Sequence, residues 1–175
     1  NWEIITYTIS YSTSMSSLPS NPVTYTVETE SFTLNNPSKY GEFSFVGWSG
    51  TGVNGKEKTL TIPKGSIGNR TYTANWYDDT PPTITGFSVR VIGRNVKGGH
   101  DVTIYIEGYD NGVGIDRYET WLVPYLNGQG AGRALGGDRY LEDVLYLDEP
   151  AGRTLCGYAI DKNGNEAEAC YTVYA

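Results

Sequence analysis

The chain has 175 residues, with 13 Lys plus Arg against 20 Asp plus Glu and a net charge of −7, a balance that speaks against nucleic acid, whose phosphates need a basic face. Fifteen Tyr and 22 Gly accompany a single His, a single Met and two Cys, the composition of an all-β chain with many turns and not of a helical bundle or a disordered tail. No apolar run approaches the length of a membrane-spanning helix, and no signal peptide or lipidation motif is visible, so a secreted parent would make this a mature piece.

Charge divides the chain. Residues 1–77 hold five bases and five acids, whereas residues 78–175 hold eight bases and fifteen acids. Between them runs Asp78-Asp79-Thr80-Pro81-Pro82. Paired prolines fix φ and donate nothing to a ladder, so residues 78–82 read as a stiff, extended linker between two domains.

In the first domain, residues 1–77, period-2 alternation sets Ile5, Tyr7, Ile9 and Tyr11 against Thr6, Thr8 and Ser10, as in a half-buried strand. Val23, Tyr25 and Val27 repeat the pattern. Phe43 to Trp48, Thr59 to Ile62 and Thr71 to Trp76 predict three more strands, separated by turns at Ser49-Gly50-Thr51-Gly52 and Asn54-Gly55. Ser14 to Pro22 reads as a loop or a short irregular helix. The second domain, residues 83–175, opens with Thr83 to Val91. Val102 to Glu107, Arg117 to Val123, Tyr140 to Leu147, Thr154 to Ile160 and Ala167 to Tyr174 follow. About six strands over this length approach the seven of an immunoglobulin-like β-sandwich.

The strand residues Tyr7-Thr8-Ile9-Ser10-Tyr11, Tyr25-Thr26-Val27-Glu28-Thr29 and Phe32-Thr33-Leu34 carry a likeness. So do Gly47-Trp48-Ser49-Gly50-Thr51-Gly52, Ile62-Pro63-Lys64-Gly65-Ser66 and Gly68-Asn69-Arg70-Thr71-Tyr72-Thr73-Ala74-Asn75-Trp76. In order and spacing this segment resembles the internalin-type B-repeat, also called the Listeria–Bacteroides repeat. The resemblance implies a small β-grasp-like module, used in tandem on Gram-positive cell surfaces, and the opening Asn1-Trp2 reads as the tail of a preceding copy ending like Asn75-Trp76. The Ser12 to Leu18 segment departs from the family's Gly-rich turn. Asp79-Thr80-Pro81-Pro82-Thr83-Ile84, Asp110-Asn111-Gly112-Val113-Gly114-Ile115 and Ala159-Ile160-Asp161-Lys162-Asn163-Gly164-Asn165 resemble bacterial immunoglobulin-like domains, which implies a spacer or adhesive module without catalytic residues. The fold class expected is therefore mainly β: a small β-grasp-like repeat module followed by an immunoglobulin-like β-sandwich.

Hairpin geometry places the cysteines. Lys162-Asn163-Gly164 suits a three-residue loop with Gly in the left-handed region, so Asp161 faces Asn165. Counting outward sets Cys156 opposite Cys170, a cross-strand disulfide on the face away from the core. The opposite face then carries Leu155, Gly157 and Ala159. His100, in Gly98-Gly99-His100-Asp101, reads as an exposed turn residue, since no catalytic signature surrounds it. Adjacent carboxylates such as Glu142-Asp143 point to opposite faces of a strand and do not flank a substrate.

Oxygen ligands for calcium gather at Asp110, Asn111 and Asp116, at Asp161, Asn163, Asn165 and Glu166, and at Asp78 and Asp79. None has the length of a twelve-residue calcium loop, and no metal or cofactor is assigned. Lys97 and Lys162 read as loop residues rather than the buried lysines of an isopeptide crosslink. The Gly-rich stretch Asn127 to Arg139 is a long loop of the kind that carries function. Trp121, Tyr125, Arg133 and Arg139 are its candidate ligand contacts, on aromatic and cationic chemistry suited to sugar or peptide.

These features predict a non-catalytic piece of a bacterial cell-surface protein, a stalk or spacer with an adhesion or protein-interaction role. An ancillary carbohydrate-binding module of a glycan-degrading enzyme is the alternative. The expected partners are a host or matrix protein, a surface glycan and neighbouring repeats of the same chain, without membrane insertion by this piece, and the location is the cell surface or the medium.

Overall fold

A computed structural model describes the chain apart from residues 16, 95–99, 124–132, 135–139, 146–152 and 175. The protein is mainly β, with no helix among the described residues, and it divides into two compact units, Asn1–Asp78 and Asp79–Ala175.

The first unit holds six strands: β1 (Tyr7–Thr13), β2 (Thr24–Tyr25), β3 (Phe32–Thr33), β4 (Phe43–Gly50), β5 (Thr61–Ile62) and β6 (Arg70–Asp78). Four of them form one sheet in the order β2-β1-β6-β4, and β3 and β5 pair separately. β1 runs parallel to β6, while β2 and β4 are antiparallel to their neighbours. The alternation read from the sequence sorts β1 into a buried Ile9 flanked by half-buried Tyr7 and Tyr11, with Thr8, Ser10 and Ser12 exposed.

The core of this unit is Ile9, Tyr25, Leu34, Trp48, Leu60, Ile62, Tyr72 and Ala74. Trp48, wholly buried, is its centre, with Phe45 and Tyr11 packed edge-on at ring separations of 5.4 and 5.9 Å. Its indole N–H donates to Asn36 Oδ1 at 2.9 Å, so the polar tip is satisfied inside the core. A bulge between Phe45 and Gly47 lets the backbone of residues 56 and 57 approach closely. A Cβ at Gly47, where φ is +141°, would lie 2.9 Å from the Glu57 amide nitrogen. Trp48 and Glu57 then exchange two backbone hydrogen bonds, of 2.8 and 2.9 Å.

The second strand is shorter than its alternation predicts. Only Tyr25 of the Val23, Tyr25, Val27 set is buried, and both valines are exposed. The chain turns at once: the Thr29 amide donates to Thr26 O, and Thr29 Oγ1 accepts from the Thr26 amide. β3 is an addition, invisible to periodicity because two residues make no pattern.

The second unit holds β7 (Thr83–Arg94), β8 (His100–Tyr109), β9 (Ile115–Val123), β10 (Arg133–Ala134), β11 (Tyr140–Leu145), β12 (Arg153–Asp161) and β13 (Glu166–Val173). They make two antiparallel sheets, β10-β9-β12-β13 and β11-β8-β7. Val89, Ile104, Ile106, Tyr118, Leu155, Ala159 and Val173 form the core, with Ile84, Phe87, Val91 and Ile115 against it. The sheets meet where β13 and β12 pack against β7. Gly157 permits that approach, since a Cβ there would sit 2.5 Å from the Phe87 ring.

Two expectations change here. His100 opens β8, its backbone opposite Arg94 and Leu145, and is a strand residue rather than a turn residue. Asp78 is the last residue of β6, so the connection between the last strand of one unit and the first of the next is Asp79-Thr80-Pro81-Pro82.

Candidate functional site

The β12–β13 hairpin of the second unit is held by its turn. Asp161, almost wholly buried, accepts from the amides of Asn163 and Asn165 at 2.8 Å each through Oδ1, and from Asn165 Nδ2 at 2.7 Å through Oδ2. Its own amide donates to Asn165 O at 3.0 Å, and its carbonyl accepts from Gly164, whose φ of +87° is left-handed. The carboxylate is a template for the turn, with its oxygens already engaged by N–H donors. That occupation leaves the Asp161, Asn163, Asn165 and Glu166 set arranged as a hairpin cap.

From this fixed point the register runs without slippage from Ile160–Glu166 to Arg153–Val173. Asp161–Asn165 is bridged by an amide-to-carbonyl bond, so positions an odd number of steps outward are the closely spaced, unbonded pairs of an antiparallel ladder. Cys156 and Cys170 fall on such a pair, with a Cα separation of 4.0 Å, and are joined as a disulfide.

The two sulfurs lie on the face opposite Leu155, Gly157 and Ala159. Cys156 is buried there while Cys170 is exposed. The burial of Cys156, and of Ile160 on the same face, follows from β12 being an inner strand between β9 and β13. Glu168 Oε1 lies 3.1 Å from Cys170 Sγ. Glu168 and the two cysteines bring potential ligand atoms within 4.8 Å of one another. Oxidised sulfurs are not thiolates, so while the disulfide stands this is a staple and not a metal centre.

The four candidate contacts around the Gly-rich stretch are only partly placed. Tyr125 and Arg139 lie outside the described residues. The backbone of Trp121 is in β9 opposite Cys156, and that of Arg133 is in β10 opposite Thr120. Directly paired positions share a sheet face and neighbouring positions alternate, so the positions of Trp121 and Arg133 belong to opposite faces. Part of the stretch read as loop, Arg133–Ala134, is thus an added edge strand on β9.

Other polar groups serve the fold. Asp110 Oδ2 accepts from the Gly114 amide at 2.5 Å, closing the loop before β9, and Gly114 O accepts from the Lys162 amide at 3.1 Å. Lys162 itself is exposed. In the first unit, Arg70 donates to the hydroxyls of Tyr25 and Tyr72 at 2.9 and 3.1 Å and lies over the Tyr25 ring. Tyr11 is pushed up to about 12, first by burial and second by the neighbouring Tyr72.

One feature that the sequence reading did not single out is the outer face of the first sheet. Thr24 and Thr8 pair across β2 and β1, Ser10 and Ser12 of β1 pair with Thr71 and Thr73 of β6, and Ser49 of β4 pairs with Thr73. The five β1 and β6 residues and Thr24 are all exposed. Ser12 and Thr73 hydroxyls are 2.8 Å apart. The face is a carpet of hydroxyls carrying no charged side chain at these positions. Alternation of Thr and Ser with apolar residues is the signal that contains it.

No family model, curated protein or solved structure matches the chain.

Proposed function

We propose that this chain is a non-catalytic piece of a bacterial cell-surface protein, serving as a spacer and as an adhesion or protein-interaction module outside the cell. The first unit is read as an internalin-type repeat of β-grasp-like fold, on the motifs in residues 3–76. The sheet order β2-β1-β6-β4 with parallel inner strands supports that reading. The second unit is read as an immunoglobulin-like sandwich. Three strands, β11-β8-β7, facing four, β10-β9-β12-β13, and the passage of the chain between the two sheets support it.

The observation that carries the proposal is two self-contained β units in series, each with its own apolar cluster, joined through Asp79-Thr80-Pro81-Pro82. A Cys156–Cys170 disulfide suits an oxidising compartment. The uncharged hydroxyl face of the first sheet offers hydrogen-bonding surface for a glycan or a protein. Binding of the 175-residue protein to an array of glycans and matrix proteins tests the interaction half of the proposal. Saturable capture that a Thr8→Asp, Thr73→Asp double variant loses supports it, and capture of no array member removes the adhesive role from this piece.

A further inference from the structure

We propose that Asn54 is a site of spontaneous chemical modification, at which the side-chain amide converts through a succinimide to aspartate and isoaspartate, while the chemically equivalent Asn163 is protected by its turn. Both are followed by glycine, as are Asn111 and Asn127. Glycine leaves its amide nitrogen sterically open to the preceding side chain, so on sequence alone the pairs are equivalent. Asn127 lies outside the described residues and does not enter the comparison.

The reaction needs the Gly amide nitrogen to reach the Asn side-chain carbonyl carbon. At Asn163 that nitrogen is engaged: Gly164 N–H donates to Asp161 O at 3.1 Å, inside a hairpin whose other amides, those of Asn163 and Asn165, are held by the Asp161 carboxylate. At Asn111, Gly112 is half-buried in a loop closed by the Gly114–Asp110 bond. Gly55 shares with Gly164 an exposed, left-handed backbone (φ +77° and +87°) and an open Cβ position, so the difference lies elsewhere. Asn54 is exposed where Asn163 is half-buried. Neither Asn54 nor Gly55 makes a hydrogen bond within the described structure.

The step is balanced without an outside reagent except water. The deprotonated Gly55 nitrogen bonds to Asn54 Cγ and the amide nitrogen leaves as ammonia. Water then opens the ring at either carbonyl. Opening at the backbone carbonyl carbon leaves the chain running through the side-chain carbon, as isoaspartate, and opening at the other restores a normal chain as aspartate. Either product adds a negative charge, and isoaspartate adds a backbone methylene, between Gly50 and Glu57. This is the segment that carries Glu57 back to the wholly buried Trp48. Modification at Asn54 therefore reaches the clip over the first core, which makes the position a chemical clock for that unit.

The test is incubation of the folded protein at mildly alkaline pH, followed by proteolytic mapping that resolves aspartate from isoaspartate. The proposal predicts conversion at Asn54 several-fold faster than at Asn163, with Asn111 between them. In denaturant the three rates should converge, because the protection is structural. Asn54→Gln should remove the fast product and leave the others unchanged. Asn163 keeping pace with Asn54 in the folded protein would overturn the proposal, as would the same rate order persisting in denaturant.

Discussion

A Cβ at Gly157 would meet the Phe87 ring at 2.5 Å and Ile106 Cδ1 at 2.9 Å. Gly157→Val forces both sheets of the second unit to give, so it is expected to cost about 1–3 kcal/mol, read by denaturant unfolding. Trp48 has the converse problem. It fills the centre of the first core, and Trp48→Ala should cost about 3–5 kcal/mol while leaving Asn36 Oδ1 without its indole donor. The third residue-scale expectation concerns pH. Tyr11 ionises near 10 when unfolded and about 12 when folded, so the folded state favours its neutral form. Its contribution to stability is complete below about 10 and is lost as pH rises through about 12. Melting temperatures across that range should fall less steeply for Tyr11→Phe than for the native chain.

Among the elements, the β12–β13 hairpin was legible almost to the residue, because its register follows from local turn chemistry. Asp161, Asn163, Gly164 and Asn165 fix the cap, and the pairing of Cys156 with Cys170 follows by counting. The long strands β7, β8 and β9 were legible from alternation. Of the two-residue strands, β5 falls inside the predicted Thr59 to Ile62, whereas β3 and β10 were not legible. β10 sits in a Gly-rich stretch with no alternation, and its existence depends on the neighbouring edge of β9. β2 shows the opposite failure, where a good alternation at Val23, Tyr25 and Val27 is cut short by the hydroxyl-locked turn at Thr26–Thr29. The candidate contacts Trp121 and Arg133 looked close in sequence, but their faces were set by register against β12 and β10, which no local pattern encodes. At this scale the staple is the testable part. It closes a sequence separation of 14, and replacing both cysteines by Ala should destabilise the second unit by about 2–3 kcal/mol. The same loss on adding reductant to the native chain, and none on adding it to the variant, would assign the effect to the disulfide.

For the whole molecule, the account rests on two β units that fold around separate cores and are stabilised separately. Trp48→Ala should lower the unfolding transition of residues 1–78 and leave the second, whereas Gly157→Val should do the reverse, with hydrogen exchange assigning each transition to its unit. The proposed spacer role requires in addition that each unit bear load. Single-molecule stretching of the 175-residue chain, run oxidised and then reduced, tests both properties together. The account predicts two separate unfolding steps, with the step from the second unit lengthening on reduction by the segment that the Cys156–Cys170 bond had locked. A single cooperative step, or extension at negligible force without discrete steps, would contradict it.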